Sequence, residues 1–152
     1  MRPRTLTLFA IGVALAACGE GAPDTTSKDY MAQQVQPTAE IYWNAVQYIS
    51  DESGNHEIFP ETDAEWEDVR KAAARLAEMG AELKEPRFAE GRGAAWIEFS
   101  DGLIEVAGKA EQAAVAKDVD AVFEVGGTLY SVCQACHQAY PPAEPPEGFE
   151  AG

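Results

Sequence analysis

Cys133, Cys136 and His137 are the residues whose types and spacing suit one definite piece of chemistry. The run Cys133-Gln134-Ala135-Cys136-His137 has the form C-x-x-C-H, the attachment signature of a c-type haem. Two thiols can form thioether bonds to the two vinyl groups on one edge of a porphyrin. On a helix, positions i, i+3 and i+4 share a face. Both sulfurs and the imidazole can therefore reach one macrocycle, with His137 as the proximal iron ligand. Disulfides, zinc sites and redox dithiols use the same residue types. Zinc needs four ligands, and the chain offers only His56, a carboxylate or Cys18 to complete such a set. A thioredoxin-like dithiol needs a βαβ setting, and no such pattern is visible. One covalently held haem c is the expected cofactor.

The motif needs helices to hold it, and the apolar spacing supplies four. The first is expected from about Asp29 to Ser50, with Met31, Val35, Thr38, Ile41/Tyr42, Ala45 and Tyr48/Ile49 on one face. Pro37 sits inside it and should kink it or distort the preceding turn. A loop over Asp51 to Glu61 follows. Thr62-Asp63-Ala64-Glu65 is a capping box. It starts a second helix with Trp66, Val69, Ala73, Leu76 and Leu83 inward, ending near Gly80 to Lys84. Pro86, Gly91 and Gly93 mark the next connection, where Arg87 and Arg92 make a basic spot, read as solvated or in contact with a haem propionate. The third helix runs from about Ala94 to Ala116, with Trp96, Phe99, Leu103, Ala107, Ala110 and Ala114 inward. Asp118 is the expected N-cap of the fourth, which runs to Tyr140 with Val122, Val125, Leu129, Cys133 and Cys136 inward. Gly126 and Gly127 within it suggest a close approach by another helix or the haem. Pro141-Pro142 stops it, and 141–152 reads as a disordered tail. The expected fold is all-α, an up-down-up-down four-helix bundle over 29–140 with its haem near the C-terminal helix.

The N-terminus reads as an export segment. Arg2 and Arg4 precede an apolar run from Leu6 to Ala17 that is too short to span a membrane permanently. Leu15-Ala16-Ala17-Cys18 resembles the lipobox of bacterial lipoproteins. The resemblance implies a signal peptide over 1–17 and acylation of Cys18, which would anchor the domain on the periplasmic side of the cell envelope. Residues 18–28, rich in Gly, Pro, Thr and Ser, read as a flexible tether. Without Arg2 and Arg4 the 11 basic residues fall to 9 against 26 acidic, a charge of −17. That balance argues against nucleic acid and favours partners with basic surfaces.

A helical bundle with C-x-x-C-H on its last helix resembles the cytochrome c′ family, or class II cytochromes c. Only 15 residues follow His137, with no Met or His among them. This excludes the common small cytochrome layout, in which the ligating Met lies far downstream. Tyr140 matches an aromatic common three residues after the family's histidine, whereas Pro141 departs from the Arg or Lys that often follows. The resemblance implies either an apolar residue of the first helix over the distal face of the iron, or a Met there in low-spin relatives. Met31 resembles that sixth ligand; the alternative is core packing. Met79 and His56 are weaker candidates, far along the second helix and in a polar loop. Two functions follow: transfer of single electrons at the envelope, or binding of nitric oxide or carbon monoxide by five-coordinate iron. No nucleophile–base pair stands out, so an enzyme is not expected. Family members often dimerise through helix faces, which leaves a homodimer open.

Overall fold

The computed structural model describes residues 26–142. The expected signal peptide, Cys18, the expected tether up to residue 25 and the expected tail from residue 143 lie outside the described residues. What is described is mostly helical, with one two-stranded sheet. The first helical column has three parts: α1 (Ser27–Tyr30), a π-helical turn (Met31–Val35) and α2 (Gln36–Ala45). The Thr26 hydroxyl caps its start by accepting from the Asp29 amide at 3.1 Å. Pro37 explains the π turn. It has no N–H for the carbonyl four residues back, and its ring crowds that carbonyl. The chain responds one turn earlier, where the Gln36 amide donates to the Met31 carbonyl, five residues back.

The wider turn adds a residue to the repeat and so changes which side chains face inward. Tyr30, Val35, Ala39, Tyr42 and Val46 are buried. Their first spacing is five and the rest are three or four. The expected face is corrected accordingly: Val35 and Tyr42 hold, but Tyr30 takes the inner place given to Met31, and Ile41 is 52% exposed.

The first helix also ends earlier than expected. At Val46 the backbone is extended (φ −131°, ψ 120°), and β1 (Gln47–Asp51) pairs antiparallel with β2 (Gly54–Ile58), with Gln47 opposite Ile58 and Asp51 opposite Gly54. A β-hairpin thus replaces the last helical turn and most of the expected loop. Val46, Tyr48 and Ile49 favour extended backbone. Asp51 secures the turn by accepting from the Ser53 amide at 2.8 Å and the Ser53 hydroxyl at 2.6 Å. Gly54 closes it at φ +127°, which suits glycine.

The capping box forms as expected. Thr62 Oγ1 accepts from the Glu65 amide at 3.3 Å, and Glu65 Oε2 accepts from the Thr62 amide at 2.9 Å. It opens α3 (Asp63–Glu82), which buries Trp66, Val69, Ala73 and Leu76. The expected plain connection contains a short helix, α4 (Pro86–Ala89), whose Phe88 ring lies 4.8 Å from that of Tyr30. Next comes α5 (Ala94–Ala116), which Lys117 ends in the left-handed conformation at φ 53°. Asp118 then caps α6 (Val119–Ala139), accepting from the Ala121 amide at 3.0 Å. α3 packs along α5, α5 along α6 and α2 along α3, and α2 also touches α6. No described helix is long and apolar enough to cross a membrane.

Gly80 sets how closely α3 and α5 approach. A Cβ there would stand 2.7 Å from Ile104 Cγ1 and 3.1 Å from the Ser100 carbonyl oxygen. Both distances are too short for a larger residue unless the helices part. Gly80→Val should destabilise the fold by about 1–3 kcal/mol through overpacking. Thermal or urea unfolding checks this, and unchanged stability would show that the two helices can shift freely.

Candidate cofactor site

The C-x-x-C-H run lies in the last two turns of α6. Earlier in that helix Val122, Gly126 and Leu129 are fully packed, and Val125 is half-buried. Beyond Leu129 the same stripe continues through Cys133, Cys136 and Tyr140, which are only half-buried, while His137 is exposed. Packing loosens there because a cavity of about 500 Å³ opens beside the helix.

Three elements build the cavity wall. The first helical column contributes Met31, Val35, Ala39 and Trp43. α5 contributes Trp96, Phe99 and Leu103, and α6 contributes Val132 with Cys133, Cys136 and His137. The aromatic side of the wall is fixed by hydrogen bonds. Trp96 Nε1 donates to the Leu83 carbonyl at 2.6 Å, and the Tyr140 ring meets Trp96 edge-on at 5.2 Å. The Tyr140 hydroxyl donates to the Arg92 carbonyl at 2.8 Å, which ties the end of α6 to the start of α5.

Charge is distributed unevenly around this space. Lys28 and Arg92 line it, and among the described residues no Asp or Glu does, although the chain has 26 acidic residues. The Arg92 guanidinium lies 4.2 Å over the Trp96 ring and donates to Ser27 Oγ at 2.7 Å. Stacking and hydrogen bonding hold this cation at the edge of an apolar wall. Arg87 is turned elsewhere: it pairs with Glu85 at 2.9 Å and with Glu82 at 3.5 Å. The expected basic spot therefore divides, and only Arg92 joins the site. Sequence reasoning gave Lys28 to the tether and did not foresee the Arg92–Ser27 link. Lys28 lies in the four-residue α1 and Arg92 in the connection before α5, and neither segment is long enough to show an apolar period that would place it.

The other candidate residues separate clearly. Met31 lines the same cavity as the motif. Met79 is 2% exposed within the core and is not part of the cavity wall. His56 is in the hairpin, with its ring 2.7 Å from Ser53 Oγ and 3.4 Å from Asp51 Oδ1. The Gly126 and Gly127 expectation is also revised. A Cβ at Gly126 would meet Trp43 and Tyr42 at ordinary contact distances of 3.6 and 3.7 Å, and one at Gly127 would meet nothing within 4 Å. Neither glycine is needed for a helix to come close.

Cys133 and Cys136 are free thiols. Burial pushes Cys133 up to about 11, with the neighbouring Cys136 adding to the rise. Burial also raises Cys136, opposed by the Arg92 charge. A redox dithiol or a cysteine nucleophile needs the opposite shift, towards thiolate. Among the described residues, no three His, Cys, Asp or Glu side chains are grouped to hold a metal ion. The donor set instead fits a flat apolar macrocycle with anionic edges. It offers two thiols and an imidazole on one helix, a thioether in the wall, aromatic faces and two cations, within a volume typical of small-molecule sites.

Comparison of the chain with protein-family models, with curated proteins and with solved structures finds no match in any of the three.

The raised thiols make a direct prediction for full-length chain produced without haem attachment. At pH 8 Cys133 should alkylate roughly a hundredfold more slowly than an exposed thiol of ordinary pKa. Its rate should still climb above pH 10. Iodoacetamide labelling read by peptide mass spectrometry measures both, and a rate that levels off below pH 9 would contradict the burial argument.

Proposed function

We propose that this chain is a c-type cytochrome of up-down-up-down four-helix-bundle architecture, built on α1/α2, α3, α5 and α6. In this reading it carries single electrons at the bacterial cell envelope, anchored by an acylated Cys18. The observation that carries the reading is that Cys133, Cys136, His137 and Met31 all line one apolar cavity edged by Lys28 and Arg92 and, among the described residues, by no carboxylate. A haem bound there would supply a one-electron iron couple. The rest of the chemistry belongs to the chain. Cys133 and Cys136 would hold the haem covalently through their sulfurs, which would prevent its loss, and His137 and Met31, which line the same cavity, would supply a nitrogen and a thioether sulfur to the iron. Trp43, Trp96, Phe99 and Leu103 would give the haem apolar surroundings, and apolar surroundings with thioether ligation raise the potential. Lys28 and Arg92 suit the two carboxylates that haem carries.

Three measurements test this. Acid–organic extraction of denatured protein should leave the haem on the polypeptide, and haem that leaves with the solvent would refute thioether attachment. Mass spectrometry of the membrane fraction should find the mature chain beginning at a lipid-modified Cys18; an unmodified N-terminus elsewhere, in a soluble periplasmic form, would refute the anchor.

The third measurement separates the electron carrier from a gas-binding cytochrome. With Met31 on the iron, oxidised protein is low-spin with a weak far-red sulfur–iron band, and reduced protein binds carbon monoxide poorly. Met31→Leu should make the iron five-coordinate and high-spin and lower its potential, because the thioether that favours Fe(II) is gone. Stability should change by less than about 1.5 kcal/mol, since the two side chains are similar in volume. A spectrum unchanged by Met31→Leu would make the methionine a packing residue. Wild-type protein that is already high-spin and avid for carbon monoxide would favour the gas-binding function.

A further inference from the structure

A second hollow of about 500 Å³ lies between α2 and α6, on the outer side of Trp43. Its sides are Trp43, Phe123 and Tyr130, and Gly126 and Gly127 leave its floor without side chains. Phe123 is 51% and Tyr130 56% exposed. Their rings are held rather than loose: Tyr130 meets Trp43 edge-on at 6.0 Å, and Phe123 meets the hairpin residue Tyr48 edge-on at 5.0 Å. Trp43 is fixed by its Nε1, which donates to the Gly126 carbonyl at 3.1 Å. It also lines the cofactor cavity, so one indole separates the two spaces.

The surrounding charge has a single sign. Among the described residues every Lys and Arg is either Lys28 or lies between Arg70 and Lys117. α2, the hairpin and α6 therefore contain none. They carry Glu40, Asp51, Glu52, Glu57, Asp120 and Glu124, and Glu124 stands in the groove wall itself. An apolar groove with rigid aromatic sides, a carboxylate in its wall and no Lys or Arg on the elements around it matches an apolar side chain ringed by cations. A second copy would bring two such acid-bearing faces together, and anionic lipid would be repelled.

We infer that the α2–α6 groove is a docking site for a protein partner that inserts one apolar side chain from a basic surface, with Trp43 as the wall between that partner and the cofactor. The partner's role as donor or acceptor of electrons rests on the proposed function, but the docking itself does not.

The probe is the peptide Lys-Lys-Phe-Lys-Lys, compared with Lys-Lys-Ala-Lys-Lys, titrated into the full-length chain and followed by amide and indole NMR shifts. The Phe peptide should move Trp43, Gly126, Gly127 and Tyr130, with binding that weakens as salt rises. The Ala peptide should bind about tenfold more weakly, the loss of a partly buried ring. Gly127→Leu fills the groove where a Cβ meets nothing within 4 Å, and it replaces glycine by a better helix former. It should weaken the Phe peptide about tenfold while leaving the fold intact. Tyr130→Ser should also weaken it, and Val115→Ser, on exposed α5 surface, should not. Equal binding of the two peptides, shifts centred on α3, or no effect of Gly127→Leu would overturn the assignment. So would self-association relieved by Tyr130→Ser, which would give the face to a second copy. Peptide binding as expected in a chain that fails the haem-extraction test would keep the docking site and remove the electron-transfer role.

Discussion

Pro37 offers no amide hydrogen to the carbonyl of Gln33, and the cavity wall follows from how the chain absorbs that loss. The helix widens into a π turn over Met31–Val35 instead of breaking. A wide turn of this kind rotates everything before it relative to everything after it. Tyr30 is thereby turned into the core, where its hydroxyl donates to Glu82 Oε2 at 2.6 Å and its ring packs on Phe88. Met31, one residue on, is left at the edge of the space that α6 opens. In an unbroken helix the residue four before buried Val35 would be Met31, and the thioether would be packed instead of lining the cavity. The position of a candidate ligand thus depends on one absent hydrogen bond about a turn and a half away.

The two spaces on either side of Trp43 differ in chemistry although they share a wall. On the α5 side Arg92 stands over the Trp96 ring, Lys28 lines the same space, and no carboxylate among the described residues does. On the outer side Glu124 stands in the wall, and α2, the hairpin and α6 carry no Lys or Arg. A single chain of strongly acidic composition achieves this by confining its bases. Ion pairs such as Arg70 with Glu67 and Glu111, and Lys109 with Glu105, use most of them up along α3 and α5. Arg92 escapes that pairing because Trp96 and Ser27 hold it.

Much of this was legible beforehand, for identifiable reasons. α5 begins and ends where Gly93 and the Lys117-Asp118 pair punctuate the chain. α3 begins at a capping box whose four residues specify its two hydrogen bonds. The placement of Cys133, Cys136 and His137 on one helix followed from the apolar period and their spacing, and their meeting with Met31 in one cavity was implied by the resemblance to class II cytochromes c, which put a first-helix residue opposite the motif. The hairpin was missed because Tyr48 and Ile49 continue the helical period of Ala45 while their own preference is for extended backbone. The four residues Asp51 to Gly54 do carry a turn signature, Asp first and Gly last, which could have revealed the second strand. Pro37 did signal a distorted turn before it, but not the register change that turn brings, since a period read along the sequence assumes a constant number of residues per turn. The cationic edge of the cavity was invisible too, because Lys28 and Arg92 are 64 positions apart in sequence and meet only through the packing of other residues.

Confining the bases to one part of the chain leaves two surfaces of different texture. Residues 63–117 carry 8 bases among 12 acids, whereas α2, the hairpin and α6 carry 6 acids and no base. Both are anionic, so a cationic body is drawn to either. At physiological salt the field decays over about 8 Å, so the difference is felt in the last nanometre of an approach, when two surfaces are separated by only a few layers of water. There α3 and α5 present a patchwork of both signs, while α2 and α6 present a single one. The lifetime of a chance encounter would then be set by how charge is distributed along the chain as much as by the shape of any groove.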